Sequence, residues 1–164
     1  MRILGIDPGY ERLGIAVLEK KSEKERVLFS ACFKTSPKLE FPERLNLISE
    51  EIEGMVKKYK PEALAIETLF LNTNQKTAMR VAEVRGVVLN EAVKGGLRVF
   101  EASPPQIKTA TTGYGRANKE QMKKMVKMLV NIEAGRESDD ELDAIAVALT
   151  ALAHLGNKKV IHSK

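Results

Sequence analysis

Two apolar runs joined by a Pro-Gly turn open the chain: ILGIDPGYERLGIAVLE, residues 3–19. Apolar runs on either side of such a turn predict a β-hairpin. The first run ends on Asp7, where a buried strand calls for a hydrophobe. A carboxylate removed from water beside a sheet is costly unless it is paired or holds a metal. The hairpin therefore points to a sheet-based fold, and its one misplaced charge marks a place where chemistry can sit.

The rest of the chain builds around that hairpin. Residues 2–7, 12–19 and 26–34 read as three successive strands; the third, RVLFSACFK, alternates with period two and takes Cys32 as a core residue. KKSEKE between the second and third is a solvated loop. Leu45, Ile48, Ile52, Met55 and Val56 recur at spacings of three and four, which predicts a helix over 41–59 ended by Pro61. ALAIE, residues 63–67, is too short for a helix and reads as a buried strand. A helix over 76–94 stops at Gly95-Gly96. A strand over 97–101 follows, and SPPQIK opens a short helix because proline suits a first turn. GYGRAN is a loop, and helices over 118–132 and 139–155 complete the chain. No repeat or linker divides it. The expectation is a single α/β domain over residues 1–164, with a five-stranded mixed sheet flanked by helices.

Composition narrows the setting. No apolar run approaches the roughly 18–20 residues of a membrane helix, and Met1-Arg2 leads directly into strand-like sequence without the layout of a signal peptide. One cysteine excludes an internal disulfide and fits a reducing cytoplasm. A net charge of +5 suits a polyanionic partner such as nucleic acid.

Acidic residues at odd positions are more telling. Glu67 ends the fourth strand as Asp7 ends the first, and parallel neighbours would set the two side by side at the carboxyl ends of the strands, where open α/β sheets place their sites. In SDDELDAIAVAL, residues 138–149, Ser138 with Glu141 forms a capping box, and first-turn acids complement the helix dipole. That accounts for Asp139, Asp140 and Glu141 but not for Asp143, one turn further in. Asp140 and Asp143 share a helix face at i, i+3. Four converging carboxylates need cations, and an all-oxygen site suits Mg²⁺ or Mn²⁺. Two such ions can activate a water and stabilise the leaving oxygen of a phosphodiester. His154 and His162 lack ligand spacing.

GIDPG, AIETLF, TGYGRANKEQMKKMV and DDELDAIAVALTA, in that order, resemble the RuvC family of Holliday-junction resolvases from residue 3 to about 153. The resemblance implies an RNase H-like fold with a metal site of Asp7, Glu67, Asp140 and Asp143. Asp140 is preferred to Asp139 because it matches the family spacing D-x-x-D-A. It also implies catalytic roles for Lys108 and Lys119, which with Arg116 bracket the GYG loop, and a Phe at position 70 able to stack on an unpaired base. Asn72, Asn74 and Gln75 add neutral donors for DNA, and Lys123 extends a basic stripe with Lys119 and Lys127. Further implied are Mg²⁺ with Mn²⁺ as substitute and two ions per site, four-way junction DNA as substrate, and paired nicks leaving 5′-phosphate and 3′-hydroxyl ends. The family also implies a homodimer and a branch-migration helicase complex of the RuvA/RuvB type as partner. The helix over 76–93 is apolar on more than one side, and Val84 and Val88 are expected on the dimer face. Glu83 departs from the neutral amide of many relatives. The opening hairpin also resembles the first phosphate-binding hairpin of actin-like and sugar-kinase ATPases, but 164 residues with one hairpin cannot supply their two-domain cleft. A junction-binding module without catalysis would not need all four acids.

Overall fold

The computed structural model describes residues 1–22, 24–69, 75–130 and 137–156. Strands β1 (Arg2–Asp7), β2 (Arg12–Lys21) and β3 (Lys24–Lys34) form an antiparallel meander. Helix α1 (Phe41–Tyr59) leads to β4 (Ala63–Glu67), helix α2 (Gln75–Lys94) to β5 (Arg98–Ala102), and helices α3 (Pro104–Thr112), α4 (Lys119–Val130) and α5 (Asp139–Gly156) follow. The sheet order is β3-β2-β1-β4-β5, with β4 parallel to β1 and β5 parallel to β4. This is the predicted five-stranded mixed sheet, with element ends within about two residues of the sequence reading.

Local chemistry explains the element boundaries. Helix α1 opens on a reciprocal capping box between Glu40 and Glu43, and Lys60 closes it in the left-handed region at φ 49°, ahead of Pro61. Ser103 and Gln106 form the same box at the start of α3, and Gly113 ends that helix at φ 75°. A side chain is rarely accommodated there, so the glycine defines the turn into the GYGRAN loop.

Period-two alternation splits the core into two layers. Leu4, Ile6, Leu13, Ile15, Val17, Leu64 and Ile66 pack with α1 and α2. Ile3, Ala16, Leu18, Ala63 and Ala65 face α3, α4 and α5. Val84 and Val88 belong to the first layer and are fully buried within the chain. They cannot form an interface, which corrects the expectation for them: both lie on the stripe of α2 that turns to the sheet. The outward stripe is carried by Met79, Ala82, Gly86 and Val93. Cys32 is also not a core residue; on edge strand β3 it is half-buried, with its thiol 3.5 Å from an Asp140 oxygen.

Candidate active site

The side-chain alternation that builds the core also aims the acids. Residues 3, 5 and 7 share one face of β1, and residues 63, 65 and 67 share the same face of β4. The register pairs Ile6 with Ile66, so Asp7 and Glu67 leave the parallel ladder side by side, toward α5. Helix α5 comes unusually close because this face is small. A Cβ on Gly5 would strike the Ala144 carbonyl, and one on Gly14 would strike the Asp140 carbonyl and lie 3.0 Å from the Asp7 Cβ. Gly14 pairs directly with Asp7 across the hairpin. The glycines therefore let the first turns of α5 settle against the end of β1, bringing Asp140 and Asp143 near Asp7 and Glu67.

The N-terminus of α5 is fixed as the capping box predicts. The Ser138 amide donates to Glu141 at 3.2 Å and the Glu141 amide to Ser138 Oγ at 3.4 Å. Glu141 also accepts from Ser30 Oγ of β3 at 3.0 Å, tying the helix start to the sheet edge. The neighbouring aspartates then diverge. Asp139 turns to α4, 3.1 Å from Lys119 Nζ and 2.9 Å from Lys123 Nζ. Asp140 turns to the hairpin, where Nε and Nη2 of Arg12 donate to one carboxylate oxygen at 2.9 and 2.5 Å. Asp143 lies 3.8 Å from Lys119 Nζ. Glu67, Asp143, Lys108 and Lys119 line one cleft of ≈ 240 Å³, floored by Ile107, Met122 and Val147.

The electrostatics are those of an undercompensated acidic cluster. Burial raises the Asp7 pKa from 3.8 to about 7, with repulsion from Asp143, Glu67 and Asp140 adding to it and Lys119 opposing. Burial and then Asp143 push Glu67 up, while Arg85 and Lys108 pull it down. Asp143 is also raised, chiefly by burial. Asp140 goes the other way: burial would raise it, but the hydrogen bonds from Arg12 and Cys32 outweigh that and hold it low. The donors are all carboxylate oxygens, the set that hard divalent cations prefer. They are not drawn into a closed cage. Among the described residues no group of three or more His, Cys, Asp or Glu side chains is spaced to hold an ion, and Asp140 gives one oxygen to Arg12 and Cys32 instead.

Other expected contacts fall as follows. Arg116 is exposed on the loop after α3. Lys123 is engaged by Asp139 and by Glu120 at 3.1 Å. Phe70, Asn72, Asn74 and the Gln75 side chain lie outside the described residues. Two residues that sequence reasoning did not single out are prominent. Arg12 holds Asp140, and Arg85, only 8% exposed, donates to the Glu67 backbone carbonyl and to the Glu101 carboxylate. Arg85 precedes Val88 and Ala92 by three and seven residues, so it stands on the buried stripe of α2. A cation at a core position was as conspicuous a signal as Asp7.

Sheet order, helix placement and acidic strand ends together define an RNase H-like α/β domain. A yeast mitochondrial Holliday junction resolvase, 13% identical, shares this fold with a TM-score of 0.71 over 97% of this chain and 80% of that one. The chain belongs to the crossover junction endodeoxyribonuclease RuvC family, whose model matches residues 3–151. It is 45% identical to the RuvC of Thermosipho melanesiensis over 90% of this chain and 94% of that protein. It is 41% identical to the RuvC of Halothermothrix orenii over 91% of this chain and 90% of that protein. Thermus thermophilus RuvC, solved in complex with a Holliday junction substrate, superimposes with a TM-score of 0.88 at 33% identity, covering 95% of this chain and 96% of that one.

Proposed function

We propose that this chain is a divalent-metal-dependent endonuclease that resolves four-way DNA junctions during recombination and repair, through paired symmetric nicks in strands of like polarity. The observation that supports the reading is the buried Asp7 carboxyl, raised further by the charges of Asp143, Glu67 and Asp140, beside a cleft lined by Glu67, Asp143, Lys108 and Lys119, in a chain of the RuvC family. Asp7 and Glu67 would hold the metal from the strand ends, and Asp140 and Asp143 from α5. Held by these carboxylates, Mg²⁺ (with Mn²⁺ as substitute, two ions per site) would supply Lewis-acid activation of a water and charge compensation at the leaving oxygen. Lys108 and Lys119 hold the scissile phosphate and offset its growing charge. Lys119 enters the cleft oriented by Asp139 and Asp143. The products are 5′-phosphate and 3′-hydroxyl ends that can be ligated.

Paired nicks require two sites, and the outward face of α2 supports a homodimer. Gly86 sits in mid-helix with nothing within 4 Å of the position its Cβ would take. A helical glycine costs about 1 kcal/mol relative to alanine, so close approach of a second helix is the physical use for it here. Flanking Met79 and Val93 are 66% and 67% exposed. Phe70, Asn72, Asn74 and Gln75 are assigned to the junction crossover, and Arg116 and Lys123 to the DNA backbone. A branch-migration helicase complex of the RuvA/RuvB type is the partner, and the cytoplasm the setting. No helix among the described residues is long and apolar enough to cross a membrane.

The test is incubation with a synthetic mobile four-way junction and Mg²⁺, with cuts mapped on each labelled strand. Symmetric nicks at paired positions are expected. Asp7→Asn, Glu67→Gln, Asp140→Asn and Asp143→Asn should each abolish them while keeping junction binding. Intact junctions alongside cleaved RNA–DNA hybrid would move the activity to a ribonuclease. Near-normal single-turnover rates in two or more of the variants would remove the four-acid site.

A further inference from the structure

Outside the acidic cleft, a second concavity of ≈ 670 Å³ opens where the β1–β2 turn meets the N-terminal turns of α1 and α2. Its walls carry Tyr10, Phe41, Arg44, Lys76, Arg80 and Glu83, which is three cations and two aromatic rings against one acid. Part of this lining is built into the fold, while Lys76 and Arg80 are exposed. Arg44 is only 6% exposed, and its guanidinium donates to Thr35 Oγ1 at 2.8 Å and to the Tyr10 carbonyl at 3.0 Å. The same guanidinium lies 5.1 Å from the centre of the Tyr10 ring. Arg80 stacks on the Phe41 ring at 3.8 Å, and the Tyr10 and Phe41 rings meet edge to face at 6.0 Å. Glu83 pairs with Arg80, at 3.5 Å, and leaves that arginine about half exposed.

Cations held against ring faces offer an anion site bordered by apolar planes, which is the chemistry of a sugar–phosphate chain with its bases alongside. Both sites open at the same end of the sheet: Tyr10 lies three residues beyond Asp7 on the β1–β2 turn, and α2 follows β4, which ends on Glu67, with the concavity on the α1–α2 side and the cleft on the α5 side. The position on α2 has a further consequence. Met79 lines this concavity and is 66% exposed on the outward stripe of the same helix, so the site borders the surface assigned above to the second subunit.

We propose that this concavity is a second phosphodiester-binding site, which takes the DNA strand running on from the active-site cleft, with Lys76 and Arg80 as its phosphate contacts. The proposal rests on the junction-nuclease reading. Arg44 is a positioning residue, holding the Tyr10 wall in place.

The experiment is fluorescence-anisotropy titration of a labelled four-way junction, in EDTA so that no strand is cut, at several salt concentrations. Lys76→Ala and Arg80→Ala are compared with wild type and with Lys57→Ala, a change of equal charge at an exposed α1 position outside these walls. Each phosphate contact contributes about 0.9 to the log–log salt slope, so each variant should lose that much slope and bind about eightfold more weakly at 0.1 M salt. Arg80→Lys should recover the slope. Equal loss on plain duplex supports the site, because phosphate contacts carry no sequence or branch information. Arg80→Ala also removes a ring contact, so melting temperatures accompany the titrations; Lys76→Ala carries no such ambiguity. Binding by both Ala variants within twofold of Lys57→Ala, with its slope, would overturn the proposal while leaving the nuclease reading intact. If wild-type protein failed to bind the junction at all, the nuclease reading would fall with it.

Discussion

Asp7→Asn should stabilise the protein in the absence of divalent metal, although it removes a proposed metal ligand. Folding takes the Asp7 carboxyl from an ordinary 3.8 to about 7, chiefly by burial and then by repulsion from Asp143, Glu67 and Asp140. The folded state therefore binds the proton more tightly than the unfolded chain. Stability is fully present below about pH 4 and is lost as pH rises through about 7. At about 1.4 kcal/mol per tenfold, the interval corresponds to about 4 kcal/mol at pH 8 and above. Asparagine has no charge to bury, so the gap between variant and wild type should open across pH 4–7 and stay level above. For a domain of this size, 1 kcal/mol shifts the melting temperature by about 2–4 °C, which gives about 8–16 °C at pH 8. Thermal unfolding in EDTA from pH 4 to 9 measures it directly. Saturating Mg²⁺ should then raise the wild-type melting temperature and close the gap, because a bound cation stabilises only the state that holds it. A variant no more stable than wild type at pH 8 in EDTA, with a gap that ignores pH, would refute the cluster's electrostatics.

Three further outcomes follow from the packing. Gly14→Ala should cost about 1–3 kcal/mol by overpacking and slow single-turnover cutting, since its Cβ meets the Asp140 carbonyl; unchanged melting and rate would show that α5 has slack there. Arg85→Met should cost about 1–3 kcal/mol by leaving the Glu67 carbonyl without its donor, and should raise the Mg²⁺ concentration for half-maximal cutting, with Arg85→Lys recovering part of both. Gly86→Arg, on the open side of α2, should shift light scattering toward the monomer with little change in melting, whereas Val88→Glu should unfold the chain by burying a charge.

Much of this was legible in the residues. Period-two runs and capping boxes are local, so hairpin, helix starts and strand count could be read directly. The ordered motifs pointed to Asp7, Glu67, Asp140 and Asp143. Even the close approach of α5 had a local trace in small residues at alternate positions: Gly5, Gly14, Ala16, Ala63 and Ala65 on the sheet, against Ala144 and Ala148 on the helix. What the sequence could not decide was which of several equivalent-looking groups meets which. Asp139 and Asp140 are adjacent, and only the rotation of α5 over the sheet sends one to the lysines of α4 and the other to Arg12 and Cys32. Val84 and Val88 looked as available to a partner as Met79 or Val93, because a helix that is apolar on several sides does not say which stripe the sheet takes. Arg12 and Arg85 became meaningful only through partners 128 and 18 residues away. Patterning along a chain is set by short-range geometry, whereas the pairing of charges depends on long-range contacts that exist only once the sheet and helices have closed on one another.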